Sequence, residues 1–257
     1  MTDIVEDRDG DLLILRLNRP QSMNALGVDL REALTDRVER LAAAKDARAL
    51  MITGTGRAFC AGADLPTLLA RRDRVVQSLD DGVNRLIALL RGLPIPVVCA
   101  VNGAAAGAGV SLALASDVLV AAESAKFHLA FVRIGAAMDA GSSLFLTRTI
   151  GAARTRALAM MGGHFDARTG KDWGAVHEVW PDEVFEAEAR ALAKSLSEGP
   201  TRTIGLIKRQ INFAESHALD AVLPFEAVAQ GQAFAGEDLE IGVAAFLERK
   251  PAAFKGR

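Results

Sequence analysis

The sequence predicts an α/β protein, because a unit of strand, small-residue turn and helix occurs at least twice along the chain. Residues 96–117, PVVCAVNGAAAGAGVSLALASD, contain the clearest unit. The apolar run at 97–101 is typical of a buried strand, an Asn-Gly dipeptide ends it, and a helical pattern begins at Val110. A second unit covers residues 49–65, and the last third of the chain is mostly helical. We therefore expect an α/β core followed by a helical region.

The remaining elements of the core follow from apolar spacing and turn signals. Helical spacing is clearest where Leu34, Val38 and Leu41 recur, and a polar turn, NRPQS, follows the first extended run. The elements expected before residue 141 are strands at 12–17, 49–53, 97–101 and 117–122, helices at about 28–45 and 80–91, and a small-residue turn at 57–65 that opens towards a helix.

After Gly141 the apolar residues recur at helical spacing, and only residues 176–180 have an extended pattern. We therefore divide the chain into an α/β core at residues 1–198 and a helical C-terminal region at residues 199–257. That region has more apolar faces than one small core needs, so we expect it to be a self-association surface. A helical cap on the core is the alternative.

Composition and charge disfavour several classes of protein. The net charge of −2, without a basic block, disfavours a nucleic-acid partner. Two prolines and the Asn-Gly dipeptide interrupt the uncharged run at 94–116, so neither part is long enough to span a membrane. Cys60 and Cys99 lack metal-site spacing, and no export signal is recognisable at the N-terminus. We expect a cytoplasmic protein with two reduced thiols and no metal site.

Two small-residue turns, Ala61-Gly62-Ala63 and Gly107-Ala108-Gly109, each follow a strand and precede a helix. The first N–H groups of a helix have no partner within it and are free to bind a negative oxygen. If both turns point at one place, two N–H groups converge on one oxygen and stabilise the charge that develops on an enolate. A packed strand–helix corner without chemistry is the alternative.

Several further segments occur in a recognisable order: NRPQSMNAL (18–26), GRAFCAGADL (56–65), the stretch at 96–117, KFHLAFVRIG (126–135), LTR-x-x-G (146–151) and the tail GVAAFLERKPAAFKGR. Together they resemble the crotonase family, the enoyl-CoA hydratase/isomerase superfamily, over nearly the whole chain. The resemblance implies a crotonase-type spiral of strand–strand–helix units with a helical C-terminal oligomerisation region. It also implies a homotrimer or hexamer that acts on an acyl-CoA thioester, with coenzyme A as part of the substrate and no separate cofactor.

The same resemblance assigns roles to individual residues. The backbone N–H groups of Ala63 and Ala108 are the expected oxyanion donors. Coenzyme A is expected along residues 22–25 and 61–65, with candidate contacts at Ser22, Ala25, Ala61, Asp64 and Leu65. Arg249 and Lys250 are candidates to supply cations to its phosphates, across a subunit boundary.

The departures from the family pattern concern acid–base chemistry. Hydratases of this family use two glutamates as an acid–base pair that positions and activates water. The corresponding positions here hold Ser111 and Phe131. We expect both residues to contact substrate, but neither has a carboxylate for this acid–base role. Ser111 fits a helix-surface or neutral pocket residue better than a nucleophile. His128 fits a structural hydrogen-bond partner better than a catalytic group.

Asp139, four residues after Gly135, offers a carboxylate instead. Related isomerases of the phenylacetate-degradation and dienoyl-CoA types carry one at this position. Its neighbours are alanine and methionine, so we expect an apolar pocket that raises the pKa of Asp139 towards that of a general base. The alternative is a helix N-cap, with the helix beginning near Ala140.

The sequence therefore predicts an isomerase that shifts a double bond, or opens a ring epoxide, in an enoyl- or aromatic acyl-CoA. The branch of the family acting on phenylacetyl-CoA derivatives is the most similar in the stretch GLIKRQIN. The alternatives are a hydratase that adds water to 2-enoyl-CoA, a non-catalytic binding protein of the same fold, and a dehalogenase-like enzyme with Asp139 as nucleophile.

Overall fold

A computed structural model describes residues 2–70 and 72–257 of the chain. The strands of this part of the chain are β1 Ile4–Asp9, β2 Leu12–Leu17, β3 Ala49–Gly54, β4 Ala58–Cys60, β5 Val97–Val101, β6 Ala104–Ala106, β7 Val118–Ala122, β8 Lys126–His128, β9 His164–Asp166 and β10 Glu178–Trp180. Its α-helices are α1 Val28–Ala44, α2 Leu65–Ala70, α3 Val75–Ser78, α4 Arg85–Gly92, α5 Ala108–Leu114, α6 Ser142–Ile150, α7 Ala152–Met161, α8 Ala167–Asp172, α9 Asp182–Ser197, α10 Thr201–Ala214, α11 Leu219–Phe234 and α12 Glu237–Glu248.

The larger sheet has six strands in the order β1-β2-β3-β5-β7-β10. Only β1 pairs in the antiparallel sense, and β2, β3, β5, β7 and β10 are parallel. Leu13 and Leu15 of β2 belong to the core cluster that includes α1, whereas Leu12 and Ile14 belong to the cluster that includes α9. Because both faces are covered, the inner strands β3 and β5 are buried along their whole length and are almost continuously apolar.

The smaller sheet has the order β4-β6-β8-β9, with β4, β6 and β8 parallel. In three successive units, β3–β4, β5–β6 and β7–β8, the first strand joins the larger sheet and the second joins the smaller one. A helix follows each pair: α2, α5 and α6. This arrangement confirms the predicted α/β spiral of strand–strand–helix units.

The structure also corrects several predicted elements. The alanines at 104–106, expected to be part of a turn, form β6, because they pair with β4 on one side and β8 on the other. The prediction that only residues 176–180 are extended in the last third is wrong, since His164–Asp166 forms β9. The helix expected at 80–91 is a π-helical segment, Leu79–Asn84, that continues into α4. Three-residue strands are too short, and a π-helical segment is too irregular, to produce the periodic spacing of apolar residues from which elements are predicted.

The C-terminal region, residues 199–257, contains α10, α11 and α12, as expected. The tail after α12 is held by the carboxylate of Asp238, which accepts hydrogen bonds from the backbone N–H groups of Lys255 (2.7 Å) and Gly256 (2.8 Å). Within α11, all of whose residues the structure describes, Ala229 is the single buried one. In the described part of the chain, no helix has the length and apolarity that crossing a membrane requires.

Candidate functional site

The two small-residue turns lie against each other at the ends of β4 and β6. Gly62 has a φ of +85°, and a Cβ atom placed on it would lie 2.5 Å from the carbonyl oxygen of Ala106 and 3.3 Å from the backbone nitrogen of Ala108. A Cβ on Gly109 would lie 2.2 Å from the carbonyl oxygen of Cys60. Glycine is therefore required at both positions, because any side chain would push the two turns apart.

This contact brings Ala63 and Ala108 to the wall of one cavity of about 470 Å³. Ala108 is the first residue of α5, so its N–H group has no partner within the helix. No hydrogen bond from the Ala63 N–H to another described residue is found. The arrangement has two backbone donors available near one space, as a site for a negatively charged oxygen requires. Their action on a thioester stays a prediction.

Asp139 lines the same cavity. Its Oδ1 atom is buried and has no hydrogen-bond partner among the described residues. Burial raises the pKa of this carboxyl above its usual range, as the apolar sequence around it predicts. The N-cap alternative is wrong: α6 begins at Ser142 with Gly141 as its N-cap residue, and no side chain caps it. The Asp139 side chain is thus directed to the cavity rather than to a helix end.

The remaining wall of the cavity is mainly aliphatic. Its larger apolar residues are Leu26, Val28, Leu68, Val75, Leu79, Val83 and Met138. Leu79 and Val83 come from the π-helical segment, a feature that is often found at functional sites and that spacing did not predict. Three further charged side chains also line the cavity: Arg31, Asp64 and Arg72. The space fits an apolar group with a few polar contacts at its edge.

The carboxylates of Asp64 and Asp139 lie at the same cavity but have opposite environments. Oδ1 of Asp64 accepts a hydrogen bond from the backbone N–H of Thr67 (3.0 Å) in the first turn of α2. Hydrogen bonds from the side chain and backbone of Thr67 lower the pKa of Asp64, whereas burial raises that of Asp139. Of the two, Asp139 has the environment of a proton acceptor that also holds its proton well.

Ser111 and Phe131 lie behind the cavity wall and are not among its lining residues. Ser111 is fully buried in α5, so the helix-surface interpretation is wrong. Its hydroxyl lies 3.2 Å from the main-chain carbonyl oxygen of Asp139. The ring of Phe131 is buried and packs 3.7 Å from the position of a Cβ atom on Gly107. Direct contact of either residue with substrate stays a prediction.

The two segments expected to bind coenzyme A are neighbours. The N–H of Leu26 donates to the carbonyl oxygen of Gly62 (2.7 Å), and the N–H of Ala61 donates to that of Met23 (2.9 Å). The other candidate contacts are Ser22, whose hydroxyl donates to the Arg19 carbonyl oxygen, the buried Ala25 and the exposed Leu65. The structure therefore brings residues 22–26 and 61–65 together, and their contact with coenzyme A stays a prediction.

Arg249 and Lys250 lie at the end of α12, and neither lines the cavity within one chain. Arg249 has a φ of +55°, and Lys250 Nζ lies 3.1 Å from Glu248 Oε2. Their contact with coenzyme A stays a prediction.

His128 has a structural place beside the site. Its carbonyl oxygen accepts a hydrogen bond from the N–H of Gly107 (3.0 Å), and its ring stacks on that of His164 at 5.1 Å between centroids. Burial lowers the pKa of His128, which favours the neutral form of the ring. No group of three or more His, Cys, Asp or Glu side chains able to hold a metal ion is found in residues 2–70 and 72–257.

The chain is similar in sequence to known proteins along nearly its whole length. Residues 7–257 match the profile of the family described as enoyl-CoA hydratase/isomerase. A probable enoyl-CoA hydratase of Rhodobacter capsulatus is 41% identical over 246 residues, which cover 96% of this chain and 95% of the relative. The 1,2-epoxyphenylacetyl-CoA isomerase of Escherichia coli is 37% identical over 267 residues, and the match covers 100% of this chain and 100% of the relative.

Solved structures show the same fold. The enoyl-CoA hydratase of Bacillus anthracis has a TM-score of 0.94 at 29% identity, with 99% of this chain and 100% of that chain covered. An enoyl-CoA hydratase/isomerase structure from Mycobacterium abscessus, described as putative, has a TM-score of 0.93 at 33% identity, with 99% and 100% covered. Proteins named as hydratases and as isomerases are thus both similar to this chain.

Proposed function

Because the chain belongs to the enoyl-CoA hydratase/isomerase family, we propose that it is an acyl-CoA isomerase with Asp139 as its acid–base group. The observation that carries this proposal is the placement of Asp139, half-buried and with a buried Oδ1 that has no partner among the described residues, at the cavity that Ala63 and Ala108 also line. The two positions of the hydratase glutamates hold Ser111 and Phe131 instead.

In the proposed reaction the thioester oxygen of a 3-enoyl-CoA accepts hydrogen bonds from the N–H groups of Ala63 and Ala108. The Asp139 carboxylate removes a proton from the carbon α to the thioester, and the electrons of that C–H bond move into an enolate whose negative oxygen the two donors stabilise. The carboxylic acid then returns the proton to carbon γ. The double bond shifts to the 2,3 position, and no atom is gained or lost.

The raised pKa of Asp139 suits both halves of this cycle. A more basic carboxylate removes a carbon-bound proton more readily, and partial burial stabilises the neutral acid relative to the carboxylate. One residue therefore serves as base and acid in turn, as a proton shift between two carbons on one face requires.

Hydration makes a different demand, because a second group has to orient and activate water. The hydroxyl of Ser111 is directed to a backbone carbonyl, and the ring of Phe131 has no proton to transfer. The hydratase hypothesis is favoured by the similar proteins that are named as hydratases, such as the probable enoyl-CoA hydratase at 41% identity. It is the second candidate function, and substrate tests separate the two.

The aliphatic wall of the cavity supports an acyl group that is apolar, whether chain or ring. The relative named 1,2-epoxyphenylacetyl-CoA isomerase acts, by its name, on an aromatic derivative that carries an epoxide. Opening such an epoxide next to the thioester would use the same oxyanion donors, so we include ring substrates in the proposal.

We further propose a homotrimer or hexamer in which Arg249 and Lys250 of one copy reach the coenzyme A phosphates bound by another. The exposed Phe246 and Leu247, just before these cations, support an association surface there. Burial of Cys60 and Cys99, which raises the pKa of each thiol to about 12, supports unreactive thiols and a cytoplasmic location.

A spectrophotometric screen against 3-enoyl-CoA, 2-enoyl-CoA and aromatic acyl-CoA thioesters tests the function. We expect conversion of 3-enoyl-CoA or of an aromatic epoxide, and only slow loss of the conjugated 2-enoyl-CoA. Fast hydration of 2-enoyl-CoA together with no isomerisation would identify the chain as a hydratase. Binding of all three thioesters without turnover would identify it as a binding protein.

A further inference from the structure

The main-chain carbonyl oxygen of Asp139 is held by three hydrogen bonds. Two come from Ser142, through its backbone N–H (3.0 Å) and its hydroxyl (2.8 Å). The third comes from the hydroxyl of Ser111 at 3.2 Å, and Ser111 is 28 residues away in sequence. Ser111 thus connects the Asp139 loop to α5, a separate element of the fold.

The Asp139 loop needs such support because of its backbone conformation. Ala140 is a buried residue with a φ of +50°, and Gly141 follows it with a φ of +80°. A left-handed alanine is strained and persists only where surrounding contacts enforce it. The Oδ1 atom has no hydrogen-bond partner among the described residues, so the backbone rather than a carboxylate contact sets the direction of this side chain.

The Ser111 hydroxyl also lies 3.5 Å from the carbonyl oxygen of Gly107, the residue before the oxyanion donor Ala108. A hydroxyl has one proton, and the shorter distance assigns it to Asp139. The Ser111 side chain is fully buried, so its hydroxyl bonds to protein groups rather than to bulk solvent. One hydroxyl therefore sits between the helix start that carries an oxyanion donor and the loop that carries the base.

We propose that Ser111 is a positioning residue that fixes the Asp139 carboxyl relative to the Ala108 N–H. The inference rests on the proposed function of Asp139. It assigns a new role to this position: where hydratases carry a glutamate that acts on water, this chain uses a hydroxyl that holds the base of an isomerase in place.

Ser111→Ala tests the proposal, with Ser116→Ala as the matched control. Ser116 is buried just beyond the end of the same helix, and its hydroxyl donates to the Ala113 carbonyl oxygen at 2.7 Å, away from Asp139. We expect Ser111→Ala to lower kcat on the order of 10- to 100-fold, the typical effect of a small misplacement, while KM stays near the wild-type value. Ser116→Ala should keep the wild-type kcat.

A second readout separates positioning from a general loss of stability. A loosened loop admits water to the Asp139 carboxylate, and hydration lowers the pKa of that group. The acid limb of the kcat/KM profile should therefore move to lower pH in Ser111→Ala. In Ser116→Ala it should stay in place. Ser111→Thr, which keeps the hydroxyl, should recover most of the activity. If Ser111→Ala does not fold, Ser111→Cys keeps the size, weakens the donor and carries the same expectation.

An unchanged kcat and an unchanged acid limb in Ser111→Ala would overturn the positioning role, and so would equal losses in Ser111→Ala and Ser116→Ala. Asp139→Asn, measured in parallel, separates a failure of the proposed function from a failure of the positioning role. If it isomerises at the wild-type rate, the proposed function itself fails. If it is inactive while Ser111→Ala matches wild type, only the positioning inference fails.

Discussion

Lys208 of α10 donates a hydrogen bond from its buried Nζ to the carboxylate of Asp117 at 2.8 Å, and this pair attaches the C-terminal region to the core. The same ammonium donates to the carbonyl oxygen of Leu90 at 2.9 Å. The carboxylate also accepts a hydrogen bond from the backbone N–H of Val97 (2.8 Å), at the start of β5. The Lys208 side chain is only 5% exposed, and burial lowers its pKa.

Lys208→Met should therefore destabilise the fold. Removal of the ammonium takes a charge-assisted hydrogen bond away from the partly exposed Asp117 carboxylate, which costs about 1 to 3 kcal/mol. The free energy of unfolding from urea titration measures the loss. Lys171→Met is the matched control, because its ion pair with Glu178 is largely exposed and such pairs contribute about 0 to 1 kcal/mol. Equal effects of the two substitutions would contradict this account of the Lys208 pair.

The raised pKa of Asp139 predicts a pH-dependent cost to stability. Between the pKa of the unfolded chain, about 3.9, and the higher pKa of the folded protein, the folded state binds more protons. Stability therefore falls as the pH rises through this window. Asp139→Asn removes the titration, so we expect the variant to be more stable than wild type at neutral pH and the difference to shrink in acid.

Urea titrations at a series of pH values measure this difference. Asp64→Ala should show the opposite dependence, because the pKa of Asp64 is lowered and its contribution is present at neutral pH and lost as the pH falls. A constant difference between Asp139→Asn and wild type from acid to neutral pH would show that Asp139 does not titrate abnormally.

We expect the protein to associate with threefold symmetry. Large apolar side chains are exposed on all three C-terminal helices, for example Ile211, Val228 and Phe246. Exposed apolar side chains on three successive helices are typical of a surface that another copy of the chain covers. Light scattering at micromolar concentration should give a mass of at least three times 27.2 kDa. A mass near that of one chain would contradict the prediction.

Arg249→Ala tests the proposed contact between the tail and the coenzyme A phosphates. Loss of a charge-assisted hydrogen bond should weaken the binding of a CoA thioester by about 1 to 3 kcal/mol. Calorimetry measures the affinity, and Arg8→Ala, which removes an arginine paired with Asp46, serves as the control. An affinity unchanged by Arg249→Ala would exclude the contact.

Much of the core could be predicted from the sequence because its long elements have clear periodicity. The expected strands at 12–17 and 97–101 and the helix at 28–45 coincide with β2, β5 and α1 within a residue. The smaller sheet could not be predicted, since strands such as β6 and β8 contain only three residues and pair with distant partners. Their pairing is a property of tertiary structure.

The candidate site, like the fold, could be predicted only in part from the sequence. The two turns could be found because small residues between a strand and a helix have a local signature, whereas Asp139 could be singled out only through the resemblance to related isomerases. The partner of Ser111 could not be found, because a hydrogen bond to a backbone carbonyl 28 residues away leaves no pattern in the chain. The burial of Lys208 could not be predicted either, because it is one of several cations in an amphipathic helix.

In the proposed reaction Asp139 alone moves the proton, and the isomerisation rate of Asp139→Asn with 3-enoyl-CoA is the decisive measurement. Asp46→Asn, which changes an exposed carboxylate paired with Arg8, is the matched control and should keep the wild-type rate. Calorimetry with a CoA thioester should show nearly unchanged binding by Asp139→Asn. We expect its rate to fall by roughly 100- to 10,000-fold, the usual worth of a general base. Isomerisation by Asp139→Asn at the wild-type rate would contradict the claim.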